Sequence, residues 1–370
     1  MPSFVGRFFL TLTASLMTFL YSGPGQINAQ EVDYSNHYRV FTGSGEPASL
    51  EAIVLAMEGA EAVLIGEIHT DPVGHWVEAE LFRRALELVK AGEESGALRP
   101  LALSLEMFER DVQGVLDEYL GGWISESQFK ASARPWEFYD EDYRAMVEAA
   151  KEKGVPVIAA NAPRRYVNRV SRLGRDAILD LPGRTRAFLP PLPYPQPTEA
   201  YRAEWTALMS NMSMEDQCPA PEVEEGADEA PPHGMTMPPP EGERPPHGEE
   251  AEAPSMPSHA MGAFMENGLQ AQTLWDASMG YAVATFLADH PGGLVLHMVG
   301  GFHVESFTGT PEKVDYYRPG TRSLVVSMQL AEDFTAFDTV EHTGLGDFVI
   351  LTDKALDKNY ERNCTDQDQD

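Results

Sequence analysis

Short apolar runs alternate with helical patterns along most of this chain. The apolar runs are three to six residues long and lie at residues 62–65, 101–105, 155–159, 294–299, 324–326 and 348–351. The helical patterns lie at about residues 75–89, 111–120, 125–133, 141–153, 163–173 and 264–287. Because continuous apolar strands separated by helices are typical of parallel sheets, we predict an α/β fold. It has a mostly parallel central sheet with helices on both faces.

Residues 213–262 interrupt this pattern with a different composition. The segment holds 12 acidic residues against one basic residue, and 11 of the 28 prolines. It has almost no aromatic or β-branched residues, so it cannot bury enough apolar surface to offset the entropy of ordering it. We therefore predict a long disordered insertion within a single domain formed by residues 30–212 and 263–355. An acidic tail is predicted at residues 356–370.

The charge balance and the cysteine content exclude several classes of protein. The 27 Lys and Arg residues face 58 Asp and Glu residues, which gives a formal net charge of −31. This acidity argues against nucleic-acid binding, because affinity for a phosphate backbone comes mainly from clustered cations. The two cysteines are too few for a disulfide scaffold or a four-thiolate metal site.

The amino terminus predicts export. Arg7 precedes an apolar run at residues 8–20, and a small-residue cleavage site ends at Ala29. We interpret residues 1–29 as a signal peptide, with an uncleaved amino-terminal anchor as the alternative. No cysteine precedes Cys218, so no thiol for lipid attachment lies near the cleavage site. The mature protein is expected to be periplasmic or associated with the cell envelope.

Four predicted strands end in side chains capable of acid–base chemistry or ligation: Glu67 and His69, Glu106, Asn161 and Arg164, and His303. His75 follows the first strand near the start of a helix, and Asp276 lies on the long helix after the insertion. Ligands bind at the carboxyl ends of parallel strands, so these residues predict one site at that edge of the sheet. Each one alone also has an ordinary explanation as a helix cap, a surface imidazole or a loop residue.

Six blocks of the sequence resemble the motifs of one known family, in the same order. Residues 66–75 read Gly-Glu-Ile-His-Thr-Asp-Pro-Val-Gly-His, and the other blocks are Leu105–Phe108, Tyr119–Gly122, Ala159–Arg164, Gln272–Met279 and Gly300–His303. They resemble the ChaN-like proteins, which are haem-binding, often iron-regulated lipoproteins and open with Gly-Glu-x-His-Asp-Asn-Pro-x-His-His. The chain departs from this pattern at Gly74, where the family often has the first of two adjacent histidines.

The resemblance implies an exported protein that binds haem in haem or iron uptake, with the ligand at the carboxyl edge of the sheet. The candidate cofactor-binding residues are His69, His75, Asn161, Arg164, Tyr139, Tyr143, Asp276 and His303. Tyrosine and histidine are known ligands of haem iron, and arginines such as Arg164 suit the propionates. The expected partners are haem or an iron-containing small molecule, an outer-membrane uptake system and a second copy of the chain.

Two other functions stay open from the sequence. The first is a hydrolase related to erythromycin-esterase-like proteins, in which Glu67, His69 and Glu106 activate water with His303 as a second acid–base group. A divalent metal held by Glu67, His69 and His303 would assist it. The second is an inactive scaffold whose Met- and His-rich insertion binds copper or only solvates the surface.

Overall fold

A computed structural model describes residues 32–211 and 258–357 of the chain. Three predicted segments lie wholly or mainly outside the described residues: the signal peptide, the insertion and the acidic tail. Cys218 and Cys364 also lie outside them. No helix among the described residues is long and apolar enough to cross a membrane.

An eight-stranded sheet forms the centre of the described structure. The strands are β1 (Tyr38–Thr42), β2 (Pro47–Ala48), β3 (Ala62–Glu67), β4 (Leu101–Glu109), β5 (Val157–Asn161), β6 (Leu294–Gly300), β7 (Ser323–Ala331) and β8 (Phe348–Asp353). Their order is β2-β1-β8-β7-β3-β6-β4-β5. All pairs from β8 to β5 are parallel, whereas β1 pairs antiparallel with both β8 and β2. The prediction of a mostly parallel sheet is confirmed, and the β1–β2 hairpin is an addition that the sequence did not indicate.

The helices of the described residues are α1 (Leu50–Met57), α2 (Pro72–Glu94), α3 (Gln113–Leu120), α4 (Glu126–Ala133), α5 (Arg144–Lys153), α6 (Arg164–Leu173), α7 (Gly183–Arg186), α8 (Glu199–Asn211), α9 (Ser258–Asp289) and α10 (Thr310–Tyr317). The sequence did not predict α1, α7, α8 or α10, and three of these span eight residues or fewer. A helix of two turns or fewer is too short to show the 3.6-residue hydrophobic period clearly, so its sequence cannot be distinguished from that of a loop. Helix α9 begins at Ser258, within the range that we assigned to the insertion.

Helices cover both faces of the sheet, as predicted. Alternate side chains of β3 point to opposite faces, and all of them are buried. Val63 and Ile65 enter a core packed by α1 to α5, while Ala62 and Leu64 enter a core packed by α9 and α10. Each fully buried Val, Leu or Ile side chain contributes about 1.5–3 kcal/mol relative to its exposed state. The strands are therefore continuous apolar runs because both of their faces are covered.

The outer strand β5 has its free edge partly occupied by a side chain. Gln113, at the start of α3, donates from Nε2 to the carbonyl oxygen of Val157 at 2.9 Å. Its Oε1 accepts a hydrogen bond from the backbone N–H of Ala159 at 2.7 Å. The amide thus bonds one outward-facing carbonyl and one outward-facing N–H of β5 in the way that a neighbouring strand would.

Candidate functional site

Glu67 is the centre of a buried hydrogen-bonded cluster at the carboxyl end of β3. Its Oε1 accepts hydrogen bonds from the Tyr143 phenol at 2.5 Å and from Nδ1 of His69 at 2.8 Å. Its Oε2 lies 2.9 Å from Nδ1 of His75. Burial alone would raise the pKa of Glu67, but His75 and His69 hold it well below the usual range. Glu67 is therefore the ionised carboxylate around which the other side chains are oriented.

His75 is fixed through both of its ring nitrogens. Nε2 donates to the carbonyl oxygen of His69 at 3.1 Å, and Nδ1 lies 3.0 Å from Oε2 of Glu78. Burial would lower the pKa of His75, but Glu67 and Glu78 raise it well above its usual value. Burial, together with the nearby charge of Glu67, raises the pKa of Glu78 well above its usual value. The cluster thus holds an imidazolium between a carboxylate and a neutral carboxyl group.

Sequence analysis missed Glu78, although one signal could have found it. Glu78 lies three residues after His75 on α2, a spacing that places two side chains on the same face of a helix. It lies on the buried face of the helix and is fully inaccessible to solvent. A buried glutamate is rare unless it is paired, and the histidine one turn earlier is its partner.

A second cluster surrounds His303, after the end of β6. Nδ1 of His303 lies 2.9 Å from Oδ1 of Asp276 on α9, and the same oxygen accepts a hydrogen bond from the Thr310 hydroxyl at 2.9 Å. Burial would lower the pKa of His303, but the Asp276 carboxylate raises it to about 9. His303 is therefore protonated at neutral pH. Burial and Asp276 also raise the pKa of Tyr201 well above its usual value, which places this unpredicted phenol at the cluster.

Glu106 connects the two clusters. Its Oε2 accepts a hydrogen bond from the backbone N–H of Gly300 at 2.8 Å, and its Oε1 lies 3.9 Å from Nε2 of His303. A Cβ atom on Gly300 would lie 3.1 Å from Cε1 and Nε2 of His69, so any larger residue there would press on this ring. The structure therefore brings together Glu67, His69, Glu106 and His303, as the strand-end argument expected.

His69 is the most accessible of the site histidines. Its side chain is 35% exposed, compared with 2% for His75 and 9% for His303. The ring meets Trp136 edge-on at a centroid distance of 4.7 Å. Burial would lower the pKa of His69, but Glu67 and Glu106 raise it. Nδ1 bonds Glu67, and Nε2 makes no hydrogen bond within the part of the chain that the structure describes.

The two predicted tyrosines lie in different surroundings. Tyr143 is buried and donates to Glu67, and burial raises the pKa of its phenol well above the usual value. The ring of Tyr139 packs against Phe108 and Phe129 in the core. Its phenol oxygen is buried and makes no hydrogen bond among residues 32–211 and 258–357. Tyr143 thus supports the cluster, whereas Tyr139 is placed as a core residue.

Asn161 and Arg164 lie at the end of the outer strand β5. The Asn161 side chain is 7% exposed, and its Oδ1 makes no hydrogen bond in the described part of the chain. Arg164 begins α6 and is partly buried. Arg165 beside it is exposed and pairs with Asp111 at 2.6 Å. These residues lie at the end of β5 and the start of α6, at the carboxyl edge of the sheet.

One group in the described residues has the donor set and the spacing for a metal ion. It consists of Glu67, His75 and Glu78, whose ligand atoms all lie within 4.8 Å of one another. All three are buried. The set predicted from the sequence, Glu67 with His69 and His303, is not such a group among residues 32–211 and 258–357.

Comparison with known proteins places the chain in a family. The family described as "Haem-binding uptake, Tiki superfamily, ChaN" has a sequence model that matches residues 53–314. The chain belongs to this family. No curated protein matches the chain. The family membership confirms the resemblance that the six motif blocks indicated.

One solved structure of a ChaN protein shows the same fold as this chain. ChaN of Campylobacter jejuni, solved with cofacial haem, is similar at a TM-score of 0.56 with 14% identity, over 86% of this chain and 98% of that chain. The type III effector HopBA1 is similar at a TM-score of 0.40 with 12% identity, over 82% of this chain and 93% of its own. The erythromycin esterase EreC is similar at a TM-score of 0.36 with 9% identity, over 79% of this chain and 77% of its own. At these identities the likeness concerns the fold alone.

Packing explains why this member of the ChaN family has a glycine at position 74. Asp71 caps the start of α2 by accepting a hydrogen bond from the N–H of Val73 at 2.9 Å. A Cβ atom on Gly74 would lie 2.9 Å from Oδ2 of Asp71 and 3.3 Å from Sδ of Met328. A histidine there would have to displace the cap or the core methionine. His75 therefore stands alone where the family often has two adjacent histidines, and its side chain is buried.

Proposed function

We propose that this ChaN-family protein binds haem at the carboxyl edge of its sheet, with His69 as the iron ligand. The observation that carries the proposal is the partly exposed imidazole of His69, whose ring is held by a buried carboxylate. The family's description and the cofacial haem of the Campylobacter jejuni protein support haem as the ligand.

Access decides between the candidate ligands. A porphyrin is a wide, rigid disc, so its iron is reached only by a side chain that stands at an open surface. His75, Tyr139 and Tyr143 are each at most 3% exposed. When Nδ1 of His69 donates to Glu67, the lone pair of the imidazole is on Nε2, which is the usual arrangement behind a metal-bound histidine. Trp136 beside the ring offers an apolar wall of the kind that a porphyrin packs against.

Haem supplies an iron that takes an axial ligand and two propionates that need cations. The residues at this edge fit both requirements. His69 offers the nitrogen, and Arg164 and Arg165 lie on the first turn of α6 directly after β5. We therefore propose these arginines as the partners of the propionates.

Titration of the purified protein with haemin tests the proposal. We expect a saturable Soret shift in the wild type and at least a tenfold weaker affinity, with a changed spectrum, in His69→Ala. The matched control is His290→Ala, because His290 is an exposed histidine at the end of α9. An unchanged affinity and spectrum in His69→Ala, with unfolding curves showing both variants folded, would refute His69 as the ligand.

The hydrolase alternative is not favoured. The family match points to haem binding.

We also propose that the protein is exported and acts in haem uptake. The predicted signal peptide and the family's description as haem-binding uptake support this role. An outer-membrane uptake system and a second copy of the chain are the partners that such a role implies. In its native host, the mature protein is expected in the periplasmic fraction with Gln30 as its first residue. Recovery from the cytoplasm with residues 1–29 still attached would contradict export.

A further inference from the structure

Arg110, just beyond the end of β4, is a cation with no anionic partner among the described residues. It is partly buried, and its Nε is inaccessible to solvent and makes no hydrogen bond in the described part of the chain. The guanidinium lies 5.5 Å from the centre of the Tyr281 ring. Burial lowers the pKa of Arg110, and no carboxylate among the described residues opposes this effect. A buried charge is costly unless it is paired or hydrogen-bonded.

Other arginines of the chain show how such a group is normally satisfied. Arg175 also stacks on a tyrosine, Tyr194, at 4.1 Å, but it donates to backbone carbonyl oxygens and to Gln270. Arg318 pairs with Glu61 at 2.9 Å. In a chain with 58 acidic residues against 27 basic ones, a partly buried arginine with no anionic partner among the described residues is unexpected for a structural residue.

A cavity of about 330 Å³ opens beside Arg110. Its other walls include Arg186, Leu189, Pro190, Leu192 and Tyr281. Arg186 donates from Nε and Nη2 to the carbonyl oxygens of Leu181 and Leu179, which fixes its side chain along one wall. The volume is within the range of small-molecule sites, which combine apolar walls with a few placed polar groups.

We propose that this cavity binds a small organic carboxylate, with its carboxylate on Arg110 and its apolar body against the prolines and Tyr281. A guanidinium matches a carboxylate through two parallel N–H···O hydrogen bonds. The apolar walls suit an acid with a hydrocarbon body better than inorganic phosphate, which needs donors on every side. The proposal does not depend on haem binding, because the cavity and the unpaired arginine lie outside the His69 and His303 clusters.

Calorimetric titration of the full-length protein with acetate, isovalerate and benzoate tests the site. We expect saturable binding at one site per chain, tightest for benzoate or isovalerate. Benzamide, which has the shape of benzoate without its charge, is expected not to bind. Arg110→Met should weaken binding at least tenfold, because a hydrogen-bonded charge pair is lost, and Arg110→Lys should retain part of it. Arg39→Met is the matched control, since Arg39 is an exposed arginine over the Phe334 ring.

The stability of the ligand-free variants separates a binding residue from a structural one. Arg110→Met removes an uncompensated cation, so its melting temperature without ligand is expected to equal or exceed that of the wild type. A lower melting temperature in Arg110→Met, or no binding of any of the three acids to the wild type, would overturn the proposal.

The carboxylate can come from a free acid or from a haem propionate. Titration with haemin and with its dimethyl ester distinguishes the two sources. If Arg110→Met weakens haemin but not the ester, the carboxylate is a propionate. If both bind as in the wild type while benzoate binding is lost, the ligand is a separate acid.

Discussion

Replacement of Glu67 by alanine is expected to lower the free energy of unfolding by about 3–5 kcal/mol. Glu67 is the ionised partner of a buried imidazolium, His75, and it accepts hydrogen bonds from His69 and Tyr143. Removing one partner of a buried ion pair leaves the other charge uncompensated, and this costs about 3–5 kcal/mol. Urea unfolding of the wild type and the variant at neutral pH measures the difference.

Glu78→Gln is the matched control, because Glu78 contacts the same imidazole from the same cluster. Burial and the nearby Glu67 charge raise the pKa of Glu78, so glutamine replaces a neutral carboxyl group of nearly the same shape. We expect Glu78→Gln to lower the free energy of unfolding by no more than about 1 kcal/mol, which is the contribution of one neutral hydrogen bond. Equal losses in the two variants would show that the negative charge is not located on Glu67.

The second large effect is a loss of stability at alkaline pH that depends on Asp276. The pKa of His303 is about 9 in the folded protein, against about 6.5 in an unfolded chain. Because the folded value is the higher one, the stabilisation is complete below pH 6.5 and is lost as the pH rises through 9. The difference between the two pKa values of His303 corresponds to about 3 kcal/mol in the free energy of unfolding.

Asp276→Asn tests this expectation because it removes the charge and keeps the shape. The variant should be less stable than the wild type at pH 6, and the two should converge by pH 10. His69 and His75 are common to both proteins, so the difference between the two curves reports on His303. Urea unfolding between pH 6 and 10 gives the curves, and ring NMR signals give the titration of His303. A constant difference across this range, or a His303 that titrates near 6.5, would contradict the assignment.

The strand-end side chains could be placed from the sequence because parallel strands deliver their carboxyl ends to one edge. Glu67, Glu106 and His303 each follow an apolar run, and the structure brings all three to the same edge. The order of the strands was not needed for this inference. It required only that the sheet be parallel, which the unbroken apolar runs indicated.

The roles of the tyrosines could not be predicted, because they depend on contacts between distant residues. Tyr143 reaches Glu67 across 76 positions, and Tyr201 approaches Asp276 from a helix that the sequence did not indicate. Tyr139 and Tyr143 lie four residues apart, yet one enters the apolar core and the other the polar cluster. A spacing of four residues does not indicate which of the two tyrosines lies in the core and which lies in the polar cluster.

The amide of Gln113 on β5 has a consequence for how two copies of this chain can meet. A bare outer strand is a template on which a further strand can add, and such growth leads to open-ended fibres. On β5 the outward-facing carbonyl of Val157 and N–H of Ala159 are already bonded to Gln113. The opposite rim ends in β2, which is two residues long. A further strand can therefore not bond these two groups of β5 without displacing Gln113, and this opposes continuous extension of the sheet at that edge.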